Sequence, residues 1–278
     1  MEQEQIEQTF KKTTEDLNNQ NKKIDLMLNE MSTLKSFLKS LTIGATDASV
    51  GSIEKEKKVS KPIEHILNND RTNIDYINIY FQEVKEIMDT MDKNEIDKAI
   101  NILFDAWRND RQIFIIGNGG SASTATHFAA DLTKTAIVKG RKRFKGISLF
   151  DNVPLVSAWI NDEGWENVYL GQLENFFQKG DVVIGVSVHG GSGKANAGQW
   201  SQNIPRAMQY AKDNGGKIIG LAGFDGGLFK EICDACIIVP KDSTPLVEGF
   251  HVDIQHLIVF RLRELISNYT EKTDSQLY

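Results

Sequence analysis

Cysteine is scarce: the 278 residues hold only Cys233 and Cys236, which excludes a disulfide-stapled scaffold. Long apolar runs are missing too. Those at 113–116 and 257–260 are typical in length, far below the ~18 residues of a membrane span. Charge of one sign is also absent. There are 32 Lys and Arg against 38 Asp and Glu, a net charge of −6, so no bulk nucleic-acid or membrane-surface partner is expected. The opening Met1-Glu2-Gln3-Glu4-Gln5 has no secretory or transit pattern, and the expected location is the cytoplasm. Glycine is nearly missing from one part of the chain. Of 22 glycines, only Gly44 and Gly51 precede Gly117. Helix interiors avoid glycine, whereas tight loops use it. The first ~115 residues should therefore be mostly helical, and the remainder should alternate strands, loops and helices.

What is present is ordinary globular composition, 40% apolar and 25% charged. Residues 1–41 carry a heptad. Phe10, Leu17, Ile24, Met31 and Leu38 form one row, and Ile6, Thr13, Gln20, Met27, Leu34 and Leu41 form the second. That seam predicts a long N-terminal coiled-coil helix over 1–43, with Thr13 and Gln20 weakening its first half. Small residues, then charge, then Pro62 mark 44–62 as a linker, and 63–278 as the main domain. Two helices follow, with stripes at Ile74, Ile77, Phe81, Val84, Ile87, Met88 and Met91 and at Ile96, Ile100, Leu103, Phe104 and Trp107. Both stripes are expected to face the core. Strands are expected at 113–116, 146–150, 182–188, 217–222 and 235–239. Helices are expected at 122–135, 153–160, 205–213, 228–232 and 248–266. This alternation predicts an α/β fold with a parallel sheet between two helical layers.

Two glycine-rich loops end predicted strands: Gly117-Asn118-Gly119-Gly120-Ser121 and Ser187-Val188-His189-Gly190-Gly191-Ser192. Neither is a dinucleotide fingerprint or a P-loop. At the carboxyl ends of parallel strands they suit an oxyanion held by amides and hydroxyls. His127 and Asp131 are i and i+4 on one predicted helix. Glu248 and His256 lie two turns apart on the last one, with His251 near their face. Such a set fits a divalent metal site, acid–base chemistry without metal, or a structural His–carboxylate pair on each helix. Cys233-Asp-Ala-Cys236 has no second pair and reads as structural.

Residues 63–266 resemble the SIS (sugar isomerase) domain, in its phosphoheptose isomerase branch. The resemblance rests on Gly-Asn-Gly-Gly-Ser-Ala at 117–122, His127-Phe-Ala-Ala-Asp131, Asp151-Asn152, Ala158-Trp-Ile-Asn161-Asp162, Gly180 to Ser187, and Thr244 to His256. It implies a five-stranded parallel sheet in a flavodoxin-like three-layer sandwich. It also implies a homotetramer with active sites at subunit interfaces. The implied reaction converts the phosphorylated sugar sedoheptulose 7-phosphate to D-glycero-D-manno-heptose 7-phosphate, often with zinc. Carried onto this chain, the resemblance assigns the metal to His127, Asp131, Glu248 and His256, and acid–base catalysis to Asp131 and His256. Substrate would meet Asn118, Gly119, Gly120, Ser121, Asp151, Asn152, Ser187, His189, Ser192 and Glu248. Some positions depart from the family pattern: Val188 and His189 replace two loop hydroxyls, Asp131 replaces a Glu, and Glu248 replaces a Gln. The coiled coil and the altered loop keep a non-catalytic scaffold as the competing expectation, alongside isomerisation of another sugar phosphate.

Overall fold

The computed structural model describes residues 71–191 and 201–270. The heptad segment, the linker and Ser192 lie outside them. Five short apolar runs become five strands: β1 (Gln112–Gly117), β2 (Lys145–Ser148), β3 (Val182–Val186), β4 (Lys217–Gly223) and β5 (Ala235–Val239). They form one parallel sheet in the order β2-β1-β3-β4-β5. Ile113 pairs with Gly146 on one side and with Val182 on the other. The expected fold class is therefore the observed one.

β1, β3 and β4 read as near-continuous apolar runs because both sheet faces are covered there, whereas the edge strand β2 is largely exposed. Ile113, Ile115, Ile184, Ile219, Leu221 and Ile237 point into one core. That core is shared with α1 (Asn73–Thr90), α2 (Lys93–Arg108), α3 (Gly120–Ala130) and α8 (Thr244–Asn268). Phe114, Ile116, Val183, Ile218 and Ala222 point into the other. The second layer holds α4 (Val153–Glu163), α5 (Leu170–Phe176), α6 (Asn203–Asp213) and α7 (Phe229–Ile232).

Helix starts follow side-chain chemistry. Thr72 and Asp75 form a reciprocal capping box on α1, and Asp92 accepts from the amide of Asn94 to start α2. The α2 stripe is buried as expected: Ile96, Ile100, Leu103 and Trp107 all lie in the core. The α1 stripe departs from expectation. Ile87 is buried, but Ile74, Ile77, Phe81 and Met88 are exposed. The reason is a narrow seat: among the described residues, the apolar contacts of α1 with its own domain run along Tyr80, Val84, Ile87 and Met91.

Several boundaries moved, two of them beside the site. β3 stops at Val186 because the chain turns at once, with the Gly190 amide bonded to the Ser187 carbonyl. The helix expected to run to Thr135 keeps α-geometry to Ala130 and then widens into a π-turn, Asp131–Thr135, closed by the Ala136 amide on the Asp131 carbonyl. Single π-turns of this kind recur at functional sites.

Candidate active site

In a sheet of this order the chain reverses direction between β1 and β3, and ligands sit beyond the strands' carboxyl ends at that switch. The two glycine-rich loops leave β1 and β3 at that point. Gly117 allows the first turn, since any Cβ there would collide with the Ser121 backbone. Gly119 supplies a left-handed φ of 56°. No side chain caps α3; the Ala122 and Ser123 amides bond the Gly119 carbonyl, which leaves those of Gly120 and Ser121 as donors that an oxyanion could use. Ser121 is buried in that turn.

Asn118 is already wired. Its Nδ2 donates to Asn203 Oδ1 at 2.9 Å, and its Oδ1 accepts from Asn203 Nδ2 at 3.0 Å and from Tyr169 OH at 3.2 Å. Tyr169 OH also donates to the Gly117 carbonyl, and burial pushes its phenol well above the usual range. One N–H of Asn118 is left for a ligand. Asn203 and Tyr169, both buried, carried no sequence signal, because their partners lie 85 and about 50 residues away in the chain.

The second loop holds its own shape. Ser187 Oγ accepts from the Gly191 amide at 3.3 Å, and Gln202 Nε2 donates to the Gly191 carbonyl at 3.0 Å. Val188 is buried, and the His189 ring packs on Phe224 with centroids 4.3 Å apart. Beyond β2, Asp151 Oδ1 accepts from Thr126 of α3 at 2.8 Å, while Asn152 caps α4 through the Leu155 amide.

The folded chain brings α3 and α8 side by side, and with them the residues expected to do chemistry. His127 Nε2 lies 3.4 Å from Asp131 Oδ2. His256 Nε2 lies 3.4 Å from the same oxygen and 3.4 Å from His127 Nε2. The three atoms form an equilateral triangle. A tetrahedral zinc with ligands at about 2.0–2.1 Å has ligand–ligand edges of about 3.3–3.4 Å. These three residues therefore fit one face of a tetrahedral divalent-metal shell.

Glu248 lies elsewhere. It is two turns, about 12 Å, along α8 from His256, beside the N-terminus of α3. A Cβ added at Gly120 would sit 2.5 Å from Glu248 Oε1. The glycine thus makes room for that carboxylate next to the first loop, and the triangle of donors forms without it.

Two supporting residues were not anticipated. Thr135 Oγ1 donates to Asp131 Oδ1 at 2.8 Å, and Gln255 Nε2 donates to Asp131 Oδ2 at 3.4 Å. Gln255 could have been flagged as a polar residue four places from His251, and both are fully buried. His251 bonds away from the triangle; its Nε2 meets the Ala222 carbonyl at 3.1 Å. Burial pushes its imidazole down to about 4. The two cysteines are free and half-buried, and the Cys233 thiol is held far above the usual range by its hydrogen bond to Cys236 and by burial. That protonated state agrees with a structural role.

A parallel sheet with two glycine loops at its switch point, and a His-Asp-His triangle beside them, defines a small-molecule site in an α/β sugar-isomerase architecture. The SIS domain family model matches residues 79–223, and the chain belongs to that family. Its relatives include phosphoheptose isomerases. That of a Nitratiruptor species is 41% identical over 157 residues, covering 56% of this chain and 79% of the relative. The lincomycin biosynthesis protein LmbN of Streptomyces lincolnensis is 41% identical over 161 residues, and the match spans 56% of this chain and 58% of that longer protein. A solved phosphoheptose isomerase from Francisella tularensis superposes with a TM-score of 0.61 at 24% identity, over 70% of this chain and all of the other. That likeness establishes the fold. Among the described residues, no helix is long and apolar enough to cross a membrane.

Proposed function

We propose that this chain is a phosphosugar isomerase that interconverts sedoheptulose 7-phosphate and D-glycero-D-manno-heptose 7-phosphate. The observation that carries the reading is the triangle of His127, Asp131 and His256, with its 3.4 Å edges. Homology to phosphoheptose isomerases supports the substrate class.

A ketose–aldose isomerase must remove a proton from the carbon beside the carbonyl and return one to the neighbouring carbon. Asp131 acts as the base that takes the carbon-bound proton, giving an enediolate. His256 gives a proton to the carbonyl oxygen and takes one from the neighbouring hydroxyl, and Asp131 returns its proton to the adjoining carbon. The two groups are near enough to act on one C–C unit, since they meet at 3.4 Å. Asn118, Ser121, Asp151, Asn152 and Glu248 orient the sugar hydroxyls. The phosphate is held by the backbone amides of the 187–192 loop with Ser187, Ser192 and His189.

His127, Asp131 and His256 would hold a zinc ion. When bound, it would polarise the carbonyl and stabilise negative charge on the enediolate oxygens. Glu248, two turns along α8 from His256, belongs with substrate at the first loop and not with the metal. The subunits assemble as a tetramer.

Isomerisation of a different sugar phosphate is the second reading. The buried Val188 and the Phe224-packed His189 favour it, because they stand where the family places hydroxyls. Purified full-length protein should be given sedoheptulose 7-phosphate, with zinc and with chelator, and the products separated by chromatography. Folded protein that leaves the sugar unchanged in both conditions refutes the first reading. Turnover of another ketose phosphate would support the second.

A further inference from the structure

We propose that Gln255, together with Thr135, is a positioning residue that fixes the Asp131 carboxylate for its work; this rests on the isomerase reading of the site. A short carboxylate gains precision only if its plane is held. Here both oxygens are held from different elements. Thr135, at the far end of the π-turn that Asp131 opens, donates to Oδ1 at 2.8 Å. Gln255, on the facing helix α8, donates to Oδ2 at 3.4 Å. Oδ2 is the oxygen that both histidines approach. A carboxylate oxygen has two lone-pair directions, so the amide can occupy one while the histidine side keeps the other.

The chemistry of Gln255 argues for a purpose at that carboxylate. It is fully buried, among Ile254, Ile258 and the rest of the apolar face of α8. Its Oε1 has no partner among the described residues, and a buried unpaired acceptor lowers stability. An apolar side chain of similar length would pack there without that loss. The amide's one hydrogen bond among the described residues goes to Asp131. Since a carboxylate only accepts, the Nε2 end must face it. A polar group retained in a core against stability, with its single contact on a reacting residue, marks a functional constraint.

The test uses the full chain with Gln255→Met, Thr135→Val and Thr135→Ser. Three quantities are measured: kcat and KM with sedoheptulose 7-phosphate, zinc affinity by calorimetry, and the thermal midpoint without metal. Loss of a group that orients a metal ligand typically costs about 10–100-fold in affinity or activity. Gln255→Met is expected to lose kcat and zinc affinity in that range, with KM within about twofold and an unchanged or higher thermal midpoint. Thr135→Val should lose kcat likewise, and Thr135→Ser should restore it. Unaltered kcat and zinc affinity in Gln255→Met would overturn the proposal. So would a loss of kcat that follows a lowered thermal midpoint while Thr135→Val stays fully active. If the wild-type chain binds zinc but leaves this sugar phosphate untouched, the isomerase reading alone fails, and zinc affinity still decides the role of Gln255. A wild-type chain that neither binds zinc nor turns over the sugar overturns both.

Discussion

Replacing His251 by leucine should remove a large part of this domain's sensitivity to acid. His251 is fully buried on α8, with Nε2 against the Ala222 carbonyl and Nδ1 unpartnered among the described residues. Burial pushes its folded-state pKa down to about 4, whereas an unfolded chain holds histidine near 6.5. Between those values the unfolded chain binds a proton that the folded chain refuses. Stability from this group is therefore complete above about pH 6.5 and is lost as the pH falls toward 4. Linkage gives about 2 kcal/mol lost by pH 5 and about 3 kcal/mol by pH 4. For a domain of this size about 2 kcal/mol corresponds to roughly 4–8 °C in Tm. The assay is thermal unfolding at pH 8, 6, 5 and 4 with chelator present, so that release of metal from His127 and His256 does not contribute. The titrations shared by wild type and His251→Leu cancel in their difference. The wild type should lose about 2 kcal/mol more than the variant between pH 8 and 5. Parallel losses in the two proteins would refute the assignment of a neutral buried imidazole.

Other outcomes follow from the site. Asp131→Asn and His256→Gln should each lower kcat by about 10²-fold or more, and calorimetry should find weakened zinc binding in both. Chelator should abolish turnover by the wild-type protein and added zinc should restore it; activity that ignores both would remove the metal from the reaction. Asn203→Ala breaks a buried reciprocal amide pair with Asn118. It should cost about 1–3 kcal/mol in urea unfolding, and should raise KM more than it lowers kcat, because the first loop loses its anchor.

The departures from sequence expectation share a cause. Most strands were legible because they are apolar runs ended by a turn-forming residue, as at Ile113 to Gly117. Their parallel pairing followed from the helices between them. The α1 stripe was legible as amphipathic but not as exposed, because periodicity reports a face and not what covers it. The π-turn at Asp131 was illegible, since it adds one residue to a turn without changing composition. His127 and Asp131 could be paired from i,i+4 spacing, and Glu248 could be placed on the His256 face. Spacing gives direction around a helix but says nothing about the neighbouring helix. The placement of Glu248 beside Gly120, about 12 Å from His256 along α8, was therefore decided by how α8 lies on α3.

By itself, the sequence determined the α/β class, the two glycine loops and the residue types able to bind metal or move protons. All of these depend on local rules: turn chemistry, helical period and strand burial. Only the tertiary structure decided that residues 129 apart would share one site, that Asn203 would hold Asn118, and that Gln255 and Thr135 would grip the two oxygens of Asp131. Those contacts depend on how helices on both faces of the sheet settle against it and against each other, which close packing of the whole core sets and no local pattern contains.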